Sequence, residues 1–441
     1  MRILIYGLNF KPELVGIGKY TGEMADWLAQ HGHEVRVVTA PPFNPEGKVG
    51  KGYSAWRYRT EKPSTPSGSG SLTVFRCPLW ISRKSSASTR ILHLVSFALS
   101  SVPVMLVQIV WSPALVLVVE PTAFCVPTAL FTARLSGARS WLHIQDFETD
   151  AGFAVGMLKS RFLRAFIATL EKKSRSAFDR ISTISQRMLD HLRDKGFPAA
   201  RSVLFPNWVD TKRIFPTGVR SPLRNELGIP GDAAVALYSG TMGRKQGLEI
   251  LVAAANRLAG NKNIRFVFCG AGPGAEVLAT QTAPLPNVSW LPLQPLERLN
   301  ELLNLADIHL LPQCGGVADL MMPSKLTGIL ASGRPVVTTA AEGTQLAMAV
   351  QDCGVRVPAH DATAFAEAIA GLAEDASLRA RLGRNARQFA ELNLDKEKIL
   401  AMFEQECLRV VGSALSSTAQ VEPEKQASGD VSWKSSIDPL S

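Results

Sequence analysis

Short apolar runs alternate along the chain with glycine-containing loops and amphipathic segments. Residues 2–7 predict a buried strand, residues 16–32 a helix that ends in glycine, and residues 33–39 a second strand. This order of strand, helix and strand is typical of a parallel, doubly wound sheet. The same order starts again near residue 206, with a strand over 234–240 followed by a helical segment. The sequence therefore predicts an α/β protein with two Rossmann-like, doubly wound domains that face each other across a cleft.

The length of the chain also favours two domains. A single hydrophobic core rarely serves 441 residues. We expect an N-terminal domain over residues 1–205 and a C-terminal domain over residues 206–394. An amphipathic helix over 395–412 is expected to pack back on the N-terminal domain. The polar, patternless residues 413–441 predict a disordered tail.

One apolar run is long enough to raise the question of a membrane span. No charged residue occurs from Ile91 to Val119, but Pro103 and Pro113 interrupt the run. It is either a true span or a helix followed by a core strand, and the β-α order favours the second. The later segment 159–201 holds eleven Lys and Arg against four Asp and Glu. Basic amphipathic helices adsorb to anionic lipid, so we expect contact with an anionic membrane surface, although a solvated surface helix has the same pattern.

Composition narrows the classes of partner and of chemistry. The net charge of +10 suits phosphorylated small molecules and anionic membrane surfaces. Aromatic residues make up only 7% and are not interleaved with basic ones, which argues against a nucleic-acid partner. The six cysteines are scattered without a C-x-x-C pair, which favours reduced thiols in a cytoplasmic protein over a zinc site. The first residues lack a small-residue cleavage site, so no signal peptide is expected.

The first glycine-rich loop lies between a predicted strand and a predicted helix. It contains Gly16, Gly18 and Lys19, and its glycines would let backbone N–H groups approach a phosphate at the start of the helix. A plain tight turn explains the loop equally well. The spacing G-x-G-x-x-x-G is not the dinucleotide fingerprint, so a dehydrogenase is not expected.

Two further glycine loops lie in the C-terminal half. Residues 239–247 carry two adjacent cations, Arg244 and Lys245, at a helix start. A diphosphate needs backbone donors and fixed positive charge of this kind, and the alternative is a pair of solvated loop charges. Residues 268–274 end a strand with three glycines and a proline. They indicate either a close approach to a ligand or a tight turn between strand and helix.

A lysine at the mouth of a helix is the fourth candidate. Lys325 follows Pro323 and Ser324 and opens an apolar helical run. The helix dipole disfavours a cation at this end, so a bound anion would relieve the conflict. We therefore expect Lys325 to contact an anionic ligand.

Together these motifs resemble those of a known family. The first glycine loop and four later stretches occur in a fixed order over about 410 residues: PNWVD (206–210), SGTMGRKQG (239–247), CGAGP (269–273) and PSKLTGILASGRPVV (323–337). Each motif is modest alone, but the ordered set is similar to that of the family-4, GT-B-fold retaining glycosyltransferases. Within that family it most resembles the bacterial colanic acid biosynthesis glycosyltransferases.

The resemblance implies a nucleoside diphosphate sugar bound in the C-terminal half and an acceptor bound against the N-terminal half. No cofactor and no metal are implied, and the sequence has no Asp-x-Asp pair. Without a metal, protein cations must stabilise the departing diphosphate, and motif position gives this role to Arg244, Lys245 and Lys325. The first glycine loop is assigned to a phosphate or to the acceptor. The other residues assigned to the donor are Gly270, Gly272, Pro273, Asp319, Ser324, Leu326 and Thr327.

In the N-terminal half, the resemblance assigns catalysis to the stretch LHIQDFETD, residues 142–150. The family often has a His or an Asp here that touches the transferred sugar or the acceptor. Asp146 and His143 are therefore the catalytic candidates. An Asp after a strand is also a common helix N-cap, so a structural role stays open for Asp146.

One departure from the family pattern concerns the nucleotide ribose. Relatives usually carry a Glu-x7-Glu motif, and alignment on ASGRPVV puts Leu320 and Gly328 at the two glutamate positions. Asp319 lies one residue away from the first position. Ribose binding is therefore expected to come from Ser324 or Thr327.

The branch that the chain resembles implies exopolysaccharide biosynthesis. A donor such as GDP-fucose and an undecaprenyl-diphosphate-linked glycan acceptor are expected, with the enzyme in the cytoplasm, peripheral on the inner face of the cytoplasmic membrane. Two alternatives stay open. One is a non-hydrolysing sugar-nucleotide epimerase of the same fold, against which the apolar run counts. The other is a catalytically silent membrane scaffold, which the glycine at position 328 favours.

Overall fold

The structure is a computed structural model that describes residues 1–14, 16–44, 47–64, 70–82, 87–120, 123–145, 175–243, 246–314 and 323–416. Residues 417–441, most of the predicted tail, lie outside the described residues, as does the first part of the basic segment, 159–174. Within the described ranges, the strands form two mainly parallel sheets, one in each half of the chain.

The N-terminal sheet is built from β1 (Arg2–Gly7), β2 (Glu34–Thr39), β3 (Arg59–Glu61), β4 (Ser71–Arg76), β5 (Leu115–Glu120), β6 (Arg139–Ile144), β7 (Arg180–Thr183) and β8 (Ser202–Leu204). Their order in the sheet is β3-β4-β2-β1-β5-β6-β7-β8. Neighbouring strands are parallel except β3 and β4, which are antiparallel.

The C-terminal sheet is built from β9 (Ala234–Thr241), β10 (Ile264–Ala271), β11 (Val288–Leu291), β12 (Ile308–Leu311), β13 (Val336–Thr339) and β14 (Gly354–Val357). Its strands are parallel and follow the order β11-β10-β9-β12-β13-β14. In each sheet the strand order reverses once, between β1 and β5 and between β9 and β12. The predicted pair of doubly wound α/β units is confirmed, and in such folds ligands bind in the crevice outside the carboxyl ends of the strands at the reversal.

Helices connect the strands and cover the sheets. They are α1 (Gly16–Gln30), α2 (Ala87–Trp111), α3 (Val126–Ser136), α4 (Gln186–Asp194), α5 (Leu223–Glu226), α6 (Glu249–Arg257), α7 (Ala275–Thr282), α8 (Leu299–Leu303), α9 (Lys325–Ala331), α10 (Gln345–Val350), α11 (Ala362–Glu374), α12 (Ala376–Asn393) and α13 (Lys396–Ser416). Short 3₁₀ turns occur at Ala123–Cys125, Ala199–Arg201 and Leu296–Arg298.

The long apolar run divides into α2 and β5, as the β-α order favours. Every residue of β5 is buried, which explains its apolar sequence from Leu115 to Val119, because parallel strands are covered on both faces. Pro103 lies inside α2 without ending it. By length and composition alone, Thr89–Trp111 is the one helical stretch among the described residues that could cross a membrane.

Helix α13 packs on the N-terminal sheet, although it follows the C-terminal domain in the chain. The Phe403 ring stacks on Phe205 with ring centroids 4.2 Å apart and also contacts Trp141 edge-on at 5.1 Å. At the start of the helix, Trp27 Nε1 donates to Glu397 Oε2 across 2.9 Å. Helix α13 therefore completes the hydrophobic core of the N-terminal domain.

The two segments that pass between the domains are hydrogen-bonded to each other. The backbone N–H of Val209 donates to the carbonyl oxygen of Leu394 across 2.8 Å, and the N–H of Lys396 donates to that of Val209 across 3.0 Å. The Thr211 hydroxyl also donates to the Asp395 carboxylate. Both passages thus share one short parallel bridge.

Replacement of Phe403 by Ala should lower the free energy of unfolding of the N-terminal domain by about 3–5 kcal/mol, because it removes a buried ring and leaves a cavity. Urea unfolding followed by tryptophan fluorescence measures the loss. The matched control is Met402→Ala, on the exposed side of the same helix, which should cost less than about 1 kcal/mol. Equal losses in the two variants would contradict this packing.

Candidate active site

Lys325 is held over the carboxyl end of β9. Its Nζ donates to the Tyr238 hydroxyl across 2.7 Å and to the carbonyl oxygen of Thr241 across 3.3 Å. The ammonium also lies over the Tyr238 ring, 4.3 Å from the centroid. The Tyr238 hydroxyl in turn donates to the Thr241 carbonyl across 2.6 Å, which leaves its lone pairs to accept from the lysine. One side chain of β9 therefore fixes the position of the cation.

The surroundings of Lys325 weaken its hold on its proton. Burial lowers the pKa of Lys325 to about 8, and burial also raises the pKa of Tyr238 above its usual value. Within the described residues, no carboxylate pairs with the Lys325 ammonium. Its neighbours are the Tyr238 hydroxyl, the Thr241 carbonyl and the face of the Tyr238 ring. A bound anion would supply the missing negative charge and stabilise the protonated form.

Glycines at the ends of β9 and β10 make room for this arrangement. Gly240 has φ +127°, and a Cβ there would lie 2.7 Å from Lys325 Cε. Gly272 has φ +144°, and a Cβ there would collide with the carbonyl of Met242. The loops after β9 and β10 are bonded directly to each other, since the Gly274 N–H donates to the Met242 carbonyl across 2.9 Å.

The structure therefore favours tight packing as the reason for the glycines of the third loop. Gly270 abuts the backbone of Gly240 so closely that a Cβ there would collide with it. Gly272 and Pro273 lie on the exposed rim of the same loop. Their exposure leaves this edge of the loop accessible to a ligand.

Ser324, Leu326 and Thr327 take different positions around the lysine. Leu326 is fully buried in the core beneath β12 and β13. Thr327 is buried too, and its hydroxyl donates to the carbonyl of Ser324 across 3.0 Å. Ser324 is only half-buried and precedes α9 without capping it through its side chain. Of the two hydroxyls predicted to bind the ribose, that of Ser324 is the more available.

The first glycine loop faces this region from the other domain. Gly16 begins α1, and Gly18 lies against the buried Glu13, where a Cβ would be 2.5 Å from Oε2. Lys19 is half-exposed and lies over the Tyr20 ring at 4.8 Å. The Tyr20 hydroxyl donates to the carbonyl of Ser324 across 3.5 Å. The start of α1 and the start of α9 therefore meet across the cleft between the domains.

His143 lies in the core of the N-terminal domain. Only 2% of it is exposed, its Nδ1 is 2.9 Å from Ser182 Oγ, and its ring is 4.9 Å from that of Phe205. Burial lowers its pKa to about 3, so the imidazole is neutral at physiological pH. This placement is that of a core histidine beneath α13, and it does not bring His143 to the cleft. The other catalytic candidate, Asp146, lies outside the described residues, as do Arg244, Lys245 and Asp319.

Sequence reasoning missed two groups at the crevices. Tyr238 lies within the predicted strand 234–240, and a single tyrosine two residues before the glycine that ends such a strand is a usable signal. The other group is an ion pair at the carboxyl end of β5, where Glu120 Oε2 is 3.9 Å from Arg175 Nη2 and both residues are buried. No pattern in the sequence connects these two residues, because they are 55 positions apart.

Pyrophosphate should bind more weakly as the pH rises through about 8, because Lys325 then loses the proton that carries its charge. Calorimetric titration at about pH 7 and about pH 9 tests this. Lys325→Ala should bind weakly at both values, and Tyr238→Phe should move the midpoint to lower pH because the ammonium loses an acceptor. Equal affinity of the native protein at both values would contradict a role for this lysine.

Comparison with known proteins shows which family this chain resembles. Residues 15–208 match the family model "Glycosyl transferase 4-like domain", and residues 219–389 match "Glycosyl transferases group 1". The chain is 41% identical over 411 residues to WcaI, a provisionally assigned colanic acid biosynthesis glycosyl transferase of Escherichia coli (strain K12). That alignment covers 91% of this chain and 98% of the relative.

Solved structures show the same fold at low sequence identity. Sucrose-phosphate synthase (tll1590) from Thermosynechococcus elongatus superposes with a TM-score of 0.70 at 17% identity, covering 93% of this chain and 99% of the other. Anabaena Alr3699/HepE, in complex with UDP-glucose, has a TM-score of 0.63 at 15% identity, covering 95% and 100%. Since two glycosyltransferase domains match in tandem and the relative is aligned over nearly its whole length, the chain belongs to the family-4 glycosyltransferases of the GT-B fold and is a glycosyltransferase.

Proposed function

We propose that this glycosyltransferase moves a hexosyl group from a nucleoside diphosphate sugar to a lipid-linked oligosaccharide in exopolysaccharide biosynthesis of the colanic acid type. The observation that carries the proposal is the Lys325 ammonium, fixed at the carboxyl end of β9 and lacking a carboxylate partner among the described residues. The names of two similar proteins support it. WcaI is named for colanic acid biosynthesis, and HepE is described with UDP-glucose bound.

The reaction is proposed to proceed with retention of anomeric configuration and without a metal. The bond between the anomeric carbon and the diphosphate oxygen breaks, and the electron pair leaves with the diphosphate. Lys325 stabilises that charge, together with Arg244 and Lys245, which motif position assigns to the same role. The acceptor hydroxyl attacks the same face of the sugar, and its proton passes to the departing diphosphate oxygen.

The ribose is proposed to contact the Ser324 hydroxyl. The family's usual glutamate position holds Gly328, where a Cβ would be 3.3 Å from Leu303 Cδ1. Thr327 already donates its hydroxyl within the loop, across 3.0 Å. Ser324 is therefore the better placed of the two predicted contacts.

The acceptor is proposed to bind on the N-terminal side, as an undecaprenyl-diphosphate-linked glycan. The start of α1, with Gly16, Gly18 and the half-exposed Lys19, faces the donor side through the Tyr20 contact and is proposed to receive the acceptor phosphates. Asp146 is proposed to touch the acceptor or the transferred sugar. Because such an acceptor is embedded in lipid, the enzyme is proposed to be peripheral on the inner face of the cytoplasmic membrane.

Of the nucleoside diphosphates, GDP should bind most tightly if GDP-fucose is the donor, as the branch resemblance implies. Calorimetric titration with GDP, UDP, ADP and dTDP measures this preference. Lys325→Ala and Arg244→Ala should weaken the preferred diphosphate at least about tenfold, since charge-assisted bonds are worth about 1.5–3 kcal/mol each. The matched control is Lys262→Ala, an exposed lysine beside the amino end of β10, which should leave affinity unchanged.

Three outcomes separate the proposal from its alternatives. Binding of one diphosphate, weakened by both substitutions, supports the donor site and identifies the base. Failure of all four to bind would favour the silent scaffold. Conversion of a nucleotide sugar to its epimer, without transfer of the sugar to an acceptor, would favour the epimerase.

A further inference from the structure

Two neighbouring helices of the N-terminal domain carry exposed apolar side chains along matching sides. Residues 92, 99 and 106 of α2 are spaced seven apart and therefore lie along one side of that helix. Phe131 and Leu135 lie four apart in α3, and Phe124 lies in the 3₁₀ turn just before α3. We call this surface the two-helix face. Its exposed members are Leu92, Leu99, Leu106, Val107, Val110, Phe124, Phe131 and Leu135.

The extent of this surface is unusual for a protein in water. Val110 is 87% exposed and Leu99 is 68% exposed. Isolated apolar side chains are common on protein surfaces, but a contiguous set marks a binding surface. The members of α2 alone extend from residue 92 to residue 110, which is about 27 Å along the helix.

The opposite side of α2 is fastened to the sheet. Phe97 and Met105 are fully buried, and the Ser101 hydroxyl is 2.5 Å from that of Tyr6 in β1. Gln108 Oε1 accepts from Arg36 Nη1 in β2 across 2.9 Å. Because these contacts belong to the core, α2 cannot cross a bilayer without leaving the sheet. The exposed side must instead lie against a surface.

The charges around the two-helix face indicate the nature of that surface. From residue 87 to residue 136 the chain has two arginines, Arg90 and Arg134, and a single acid, Glu120, which is buried. Two identical copies would therefore bring positive rims together. An anionic surface would be attracted to the same rim.

Aromatic side chains lie beside the face. Trp56 is 72% exposed, and Tyr58 is exposed and donates from its hydroxyl to the carbonyl of Ser100 in α2 across 2.7 Å. The exposed Arg57 lies between them. Tryptophan, tyrosine and arginine together are typical of segments at the level of lipid headgroups.

We infer that the two-helix face docks on an anionic lipid bilayer, with the helices lying in the interface and residues 56–58 at the headgroups. The inference rests on the proposed lipid-linked acceptor for its purpose, but the contact itself is separate from the donor site. Phe124 follows the carboxyl end of β5, so this end of the face adjoins the crevice of the N-terminal sheet. A glycan carried by a lipid in that bilayer would enter the crevice from the side.

Sedimentation with vesicles of phosphatidylethanolamine and phosphatidylglycerol tests this docking. The native full chain should sediment with these vesicles and much less with phosphatidylcholine vesicles. The double variant Leu99→Asp/Val107→Asp should reduce the bound fraction at least about tenfold, because two apolar contacts with lipid are lost and two charges that anionic lipid repels are gained. The matched control is Val277→Asp/Leu293→Asp, which has the same charge change at two C-terminal residues that are each 59% exposed.

Equal sedimentation of the native protein and the Leu99/Val107 variant would overturn the inference. So would a native dimer that this variant converts to a monomer, because a second copy would then cover the face. Unfolding midpoints establish that both variants are folded. Titration of the same proteins with nucleoside diphosphates distinguishes the two proposals. Failure to bind vesicles with intact nucleotide binding contradicts only this inference. Vesicle binding without nucleotide binding contradicts only the proposed donor site.

Discussion

The stacking of Phe403 on Phe205 closes the core of the first domain with a helix that follows the second domain in the chain. It fastens the last helix to the first sheet, so the chain passes between the domains twice instead of once. The two passages are then bonded together at Val209, where the backbone bonds are 2.8 and 3.0 Å long. This double connection brings the start of α1 opposite the start of α9, and the Tyr20 hydroxyl meets the Ser324 carbonyl there. A site shared between two domains depends on that fixed opposition.

The proposed donor site holds the Lys325 ammonium in a place where a charge is costly. Burial works against the ammonium of Lys325, and Tyr238 offers it only a dipole and an aromatic face. Such an arrangement is poorly stabilised when empty and well stabilised when an anion arrives, which is how a site gains affinity for the charge of a leaving group. Gly240 makes room for this arrangement, because the side chain of any larger residue would displace the lysine.

Much of the fold could be predicted from the sequence, because parallel strands buried on both faces appear as unbroken apolar runs. The apolar runs at residues 3–6 and 115–119 lie in such strands, and the alternation of strands with helices also predicts the helix within residues 91–111. The site could be predicted less fully. His143 shares a face of β6 with Trp141, two residues earlier, and only the packing of α13 shows that this face is core. Tyr238 and Lys325 meet through the order of strands in the sheet, which no local spacing reveals.

The closing of the N-terminal core by α13 has a consequence for synthesis of the chain. Trp141 and Phe205 leave the ribosome long before Phe403, which covers them. Residues 206–395 must be translated in between, and at about 5–20 residues per second this takes about 10–40 seconds. During that interval the nascent first domain displays an aromatic surface that no earlier part of the chain hides. Transiently exposed apolar surface is prone to aggregation, so the length of the second domain sets how long the first domain is exposed to that risk.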